Sequence, residues 1–265
     1  MSAIILESSL VHYEALGRGK PLLFLHDWLG SWRYWVPTMV DMSSGYRAYA
    51  LDFWGFGDSD KVQARYTVAG YVAQVALFMN QMGMVGRVRV PLIGHGLGGV
   101  VALLFAAQFP ERVEQVMTVS TPLLSGHIGR SLTNFGGGEN PARAILGRRL
   151  KAYEEVAMES DKTDSDAVVQ SVRSVMGQEM FDTLEELDLA TLLVYGQQDP
   201  IIEAPDEDML DELEDNVYAY HFSEAQHYPM LEDTNKFNRL LRDFLMHKDD
   251  WDAYQVKDEW RRRMR

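Results

Sequence analysis

Apolar residues in this chain come in short clusters. Examples are residues 21–25 (PLLFL), 46–52 (YRAYALD), 113–120 (VEQVMTVS), 191–195 (TLLVY) and Val217–Phe222 (VYAYHF). Segments of helical character separate them. Apolar runs of about five residues alternating with helices predict strands of a mostly parallel sheet covered on both faces. The stretch 87–99 (RVRVPLIGHGLGG) reads as one more strand entering a glycine-rich turn, with an apolar helix over 100–108.

The predicted strand ends carry the polar and glycine-rich residues. His26-Asp27-Trp28-Leu29-Gly30-Ser31 follows the first run, and Gly55-Phe56-Gly57-Asp58-Ser59 follows the second. Gly196-Gln197-Gln198-Asp199-Pro200 and Ala225-Gln226-His227 end the last two. The turn Gly94-His95-Gly96-Leu97-Gly98-Gly99 has the strand–turn–helix setting and framework glycines of a G-x-S-x-G nucleophile elbow. Gly96 stands where the serine belongs. Glycine-rich turns also cradle phosphates, but here no Lys-Ser/Thr follows, and a nucleotide site belongs to the first strand–helix unit.

These motifs, in the order elbow, acid, histidine, resemble the α/β-hydrolase superfamily, in its branch of small cofactor-free esterases and haloperoxidase-like enzymes. The resemblance runs from about residue 10 to about residue 246. It implies an α/β-hydrolase fold, a mostly parallel doubly wound sheet with a small helical cap, forming one domain over 1–265. It also implies Asp199 as the acid and His227 as the base of a triad, with Gly96 at the vacant nucleophile position. The oxyanion hole would be the backbone N–H groups of Trp28 and Leu97. Asp27, Phe53 and Trp54 would border the pocket, and neither a metal nor another cofactor is implied. Asp27 departs from the usual His-Gly pair at this loop. Its carboxylate would oppose a developing oxyanion unless the side chain turns away to cap a neighbouring N–H.

A missing serine decides the chemistry. Deleting such a nucleophile costs about 10⁶ in turnover, which leaves on the order of one event per day from a typical rate of about 10 s⁻¹. The chain is therefore expected to lack conventional serine-hydrolase activity, as a pseudoenzyme retaining a His227–Asp199 dyad and a small-molecule pocket. General-base chemistry by that dyad would be worth about 10²–10⁴. Two alternatives remain: an ester hydrolase whose serine was replaced by glycine, and a non-catalytic binding or interaction protein. Glycine tolerates elbow geometry, so a serine restored at position 96 is expected to fold and to reach His227. His95 and His26 read as structural. His12, His127, His221 and His247 read as surface or packing residues.

Composition narrows the partners. The 265 residues include no cysteine, which excludes disulfides and points to a cytoplasmic setting. A net charge of −14 disfavours nucleic acid, so the expected partner is a small apolar or ester-like molecule. No run of about 18 apolar residues is present for a membrane span, and the N-terminus lacks the basic start of a signal peptide. Residues 121–186 are expected to form the cap, with a Gly-rich loop over 125–141 and helices near 143–157 and Ser165–Val175. The acidic stretch 201–216 matches no calcium loop and reads as a solvated helix with an apolar stripe. Residues 247–265 read as a C-terminal extension.

Overall fold

A computed structural model describes residues 2–247. Its eight strands are β1 (Ser2–Leu6), β2 (Ser9–Gly17), β3 (Lys20–Leu25), β4 (Tyr46–Leu51), β5 (Val90–His95), β6 (Val113–Val119), β7 (Thr191–Gly196) and β8 (Val217–Phe222). They form one sheet in the order β1-β2-β4-β3-β5-β6-β7-β8. β2 runs antiparallel to β1 and β4, and every other pair is parallel. All six residues of β5 and of β7 are buried, as expected of parallel strands covered on both faces.

Helices α1 (Val36–Met42), α2 (Val68–Gln81) and α3 (Leu97–Gln108) follow β3, β4 and β5. The insert between β6 and β7 carries α4 (Arg130–Thr133), α5 (Pro141–Leu146), α6 (Glu154–Glu159), α7 (Ser165–Val175) and α8 (Met180–Glu185). α9 (Glu207–Asp211), α10 (Pro229–Glu232) and α11 (Thr234–His247) complete the chain as described. α3 buries Leu97–Leu103 as well as Phe105 and Ala106, so it lies in the centre of the fold. α11 is amphipathic and buries Phe237, Leu241, Phe244 and Leu245 at helical spacing.

Several elements differ from the sequence reading. The helix expected over 143–157 is α5, a 3₁₀ turn (Gly147–Ala152) and α6. Gly147 at φ +54° ends α5, because a left-handed residue takes the chain off the helical path. α3 begins at Leu97, directly after the elbow, rather than at residue 100. The Gly-rich stretch 125–141 is not a plain loop: it holds a 3₁₀ turn, α4 and the buried Leu132. The acidic stretch yields only α9, five residues without a buried one. α7 spans the expected residues, capped by the Asp164 carboxylate accepting from the Asp166 N–H at 3.0 Å. The proposed C-terminal extension lies outside the described residues beyond His247.

Candidate functional site

The elbow is a change of backbone direction between β5 and α3. Gly96 adopts φ +49° and ψ −110°, in the region that favours glycine. Its N–H donates to the Val119 carbonyl of β6 at 2.9 Å, and its own carbonyl accepts from Val100 at 3.2 Å. A Cβ on this backbone would fall onto the carboxylate of Asp27, closer than any real contact.

Asp27 reaches that position from the loop after β3. The Phe53 N–H donates to His26 Nε2 at 2.9 Å, so Nδ1 carries the proton and donates to the Asp27 carbonyl at 2.7 Å. The Asp27 N–H in turn donates to the Tyr34 hydroxyl at 2.7 Å. With the backbone thus pinned, Oδ1 accepts from the Leu97 N–H at 3.1 Å, and Oδ2 accepts from the Leu29 N–H at 3.4 Å. Oδ2 also lies 3.0 Å from His227 Nε2. The N-terminus of α3 adds favourable dipole potential. Burial would raise the Asp27 pKa, yet the His227 hydrogen bond and charge, with the Trp28 amide, hold it below the usual carboxylate range. Asp27 therefore does not turn away from the site. It fills it.

His227 lies between two carboxylates. Its Nδ1 is 2.8 Å from Asp199 Oδ2, and Asp199 Oδ1 accepts from the Ile201 and Ile202 N–H groups at 2.8 and 3.2 Å. Burial works against the imidazolium. The Asp199 charge and hydrogen bond, joined by those of Asp27, outweigh it and raise the His227 pKa well above its ordinary value. His227 is therefore an imidazolium that donates from both nitrogens. His95, beside it, is the opposite case: desolvation, then the neighbouring imidazolium, lowers its pKa to about 3. Neutral His95 donates from Nε2 to the His227 carbonyl at 2.9 Å and accepts from the Tyr34 hydroxyl at 3.0 Å. Burial likewise lowers the His26 pKa.

Asp27, His95 and His227 offer ligand atoms within 4.8 Å of one another. A metal held there would have to displace the Nε2 proton of His227, which Asp27 accepts, and one of the two hydrogen bonds that engage both ring nitrogens of His95, so the set fits an ion poorly. A second such set, His12, Asp52 and Asp58, has its Asp52 carboxylate taken by the Trp32 and Asp58 N–H groups and by His12 Nδ1. His12 is thus a buried residue, not a surface one, with its pKa raised by Asp52 against the lowering effect of burial.

The other expected site residues divide. Trp28 is fully buried and donates its indole N–H to Ser171 Oγ of α7 at 3.0 Å. Phe53 packs on the His26 ring and on Tyr71, with centroids 4.8 Å apart in each case. Trp54 is oriented by α2: its N–H donates to Gln74 Oε1, its carbonyl accepts from Tyr71, and Arg65 lies 4.3 Å over its ring. A cavity of about 480 Å³ touches Asp199 from the side of His127, Gln197 and His221. The space directly beside Gly96, where a pocket is expected, holds the Asp27 carboxylate. Tyr34 and Ser171 escape the sequence reading, since no spacing links them to positions 27, 95 or 28.

Comparison with known proteins agrees with this fold. The "alpha/beta hydrolase fold" family profile matches residues 20–144. Epoxide hydrolase 4 of Mus musculus is 36% identical over 115 residues, which is 42% of this chain and 31% of that protein. The chain thus spans about a third of that relative's length. A pimeloyl-[acyl-carrier protein] methyl ester esterase of Aliivibrio fischeri is 23% identical over 257 residues, covering 89% of this chain and 97% of the esterase. Among solved structures, a serine-to-glycine mutant of an N-acyl homoserine lactonase complexed with N-hexanoyl homoserine lactone superposes with a TM-score of 0.78. It is 20% identical and covers 92% of this chain and 96% of that one. The chain has the alpha/beta hydrolase fold.

Proposed function

We propose that this protein is a hydrolase-fold pseudoenzyme that does not cleave esters through an acyl-enzyme. One observation carries the reading: the Asp27 carboxylate occupies the space of a nucleophile side chain and accepts from the elbow N–H of Leu97. That N–H is a donor an oxyanion would need. The general-base alternative fares no better, because His227 already carries both protons between Asp199 and Asp27.

An ordinary esterase that lost its serine would have an unfilled gap at position 96. Here Gly96 and Asp27 fit one another, which favours a paired change over an isolated substitution. The expected ligand is apolar or ester-like, in keeping with relatives named for esters and epoxides.

The test is a fluorophosphonate probe together with p-nitrophenyl acetate. The parent should neither label nor turn over, while the double variant Asp27→Gly/Gly96→Ser should do both. Stoichiometric labelling of the parent at any residue of this site would overturn the proposal.

A further inference from the structure

Four charged side chains join the insert to the rest of the fold, and the reading of the triad makes no use of them. Glu159, the last residue of α6, is only 3% exposed. Its Oε1 accepts from Arg33 Nε at 2.6 Å, and its Oε2 lies 2.9 Å from Lys162 Nζ. Lys162 also donates to Asp58 Oδ2 at 2.8 Å. Arg33 lies in the 3₁₀ turn Trp32–Trp35 after the Asp27 loop, and Asp58 lies in the Gly55–Ser59 turn after β4.

Both of these segments are tied to one buried carboxylate. The Trp32 N–H donates to Asp52 Oδ1 at 2.9 Å and the Asp58 N–H to Asp52 Oδ2 at 3.0 Å. The contacts thus close a circuit from Asp52 through Arg33, Glu159, Lys162 and Asp58 back to Asp52. Only Glu159 and Lys162 belong to the insert. They also lie close in sequence to α7, whose Ser171 holds the Trp28 indole beside Asp27.

The energetics of this circuit depend on docking. The Lys162–Asp58 arm is partly exposed, and such pairs contribute little. The Glu159 carboxylate is buried, so losing a partner there leaves an uncompensated charge. When the insert lifts, Glu159 gains water as it loses Arg33, which makes the fastening reversible. Separating an apolar contact of the same area gains no such compensating hydration.

We propose that the 154–175 part of the insert is a lid held over the Asp27 loop by the Glu159 circuit, and that separation of Glu159 from Arg33 is the step that opens the site. The inference does not depend on whether the site is a pseudoenzyme's.

Amide hydrogen exchange of the full chain, read by mass spectrometry, tests it. In Glu159→Gln, exchange should rise at least tenfold in peptides covering 154–175, and together with them in peptides covering 26–31. Peptides from β5 and β6 should stay unchanged. High salt should raise the same peptides in the parent and add nothing in the variant, since screening shortens the reach of the exposed arm. No local rise, or a rise shared equally by β5 and β6, overturns the proposal. Should Glu159→Gln fail to fold, Lys162→Met removes only the outer arm. It should raise 154–175 and 26–31 several-fold and abolish the salt response, and an unchanged pattern there also overturns the lid.

Discussion

The Asp27 carboxylate and the Gly96 backbone share one volume: Oδ1 stands where a side chain on residue 96 would begin. Asp27 is anchored by the Leu97 N–H, Leu29 N–H and His227, so the volume cannot be cleared by a small rotation without breaking those bonds. The two positions are therefore coupled.

Gly96→Ser alone should not rebuild a serine site. The sequence alone suggests that a serine at 96 is tolerated, but in the fold it meets Asp27. Left-handed strain of about 1–3 kcal/mol and overpacking of about 1–3 kcal/mol add up to marked destabilisation. Adding Asp27→Gly should recover much of that loss. Urea unfolding of the two single variants and the double variant measures the coupling, and additive effects would contradict it.

Asp27→Asn keeps the shape and removes the charge. Its amide keeps one acceptor oxygen, so its NH2 must face either the His227 donor or the Leu97 N–H, and breaking a buried ion pair in this way costs about 3–5 kcal/mol. The His227 pKa should fall by NMR titration as one of its two carboxylate partners disappears. An unchanged His227 titration would show that Asp199 alone sets it.

Stability should peak in mildly acidic solution as far as this triad is concerned. His227 has a folded pKa raised to about 10, so its contribution is complete below the unfolded value near 6.5 and is lost as pH climbs toward 10. Asp27 is depressed to about 2, so its contribution is present above the unfolded value near 4 and is lost as pH falls toward 2. Denaturant midpoints from pH 3 to 10 should show a plateau at about pH 4–6.5, with an alkaline decline that Asp27→Asn flattens.

Ser171→Ala removes the acceptor of the Trp28 indole. A buried N–H left unsatisfied costs about 1–3 kcal/mol, and the loss should appear as a lower melting temperature. Ser171→Thr retains an oxygen and should recover part of it.

Much of the fold was readable because its central strands are buried on both faces. β3, β5, β6 and β7 are then dominated by apolar residues, and such clusters stand out in a linear chain. Turn chemistry marked Gly96, Asp199 and His227 in the same way, since each follows a strand end that the residue pattern locates. The break at Gly147 was harder to see: a glycine within a helical pattern signals a stop only if the backbone takes a positive φ, and packing decides that. His12 carried no local sign of burial either, because its partner Asp52 lies forty residues away.

The sequence by itself determined that residue 96 has no side chain to attack a carbonyl, that a carboxylate stands at 27 and that Asp199 and His227 follow in order. Which way Asp27 points was decided only in three dimensions. The Phe53 N–H sets the His26 tautomer, Tyr34 holds the Asp27 amide, and α3 brings the Leu97 N–H to meet the carboxylate. Each partner comes from a different element, and hydrogen bonds of fixed length and direction act only after the sheet has assembled those elements.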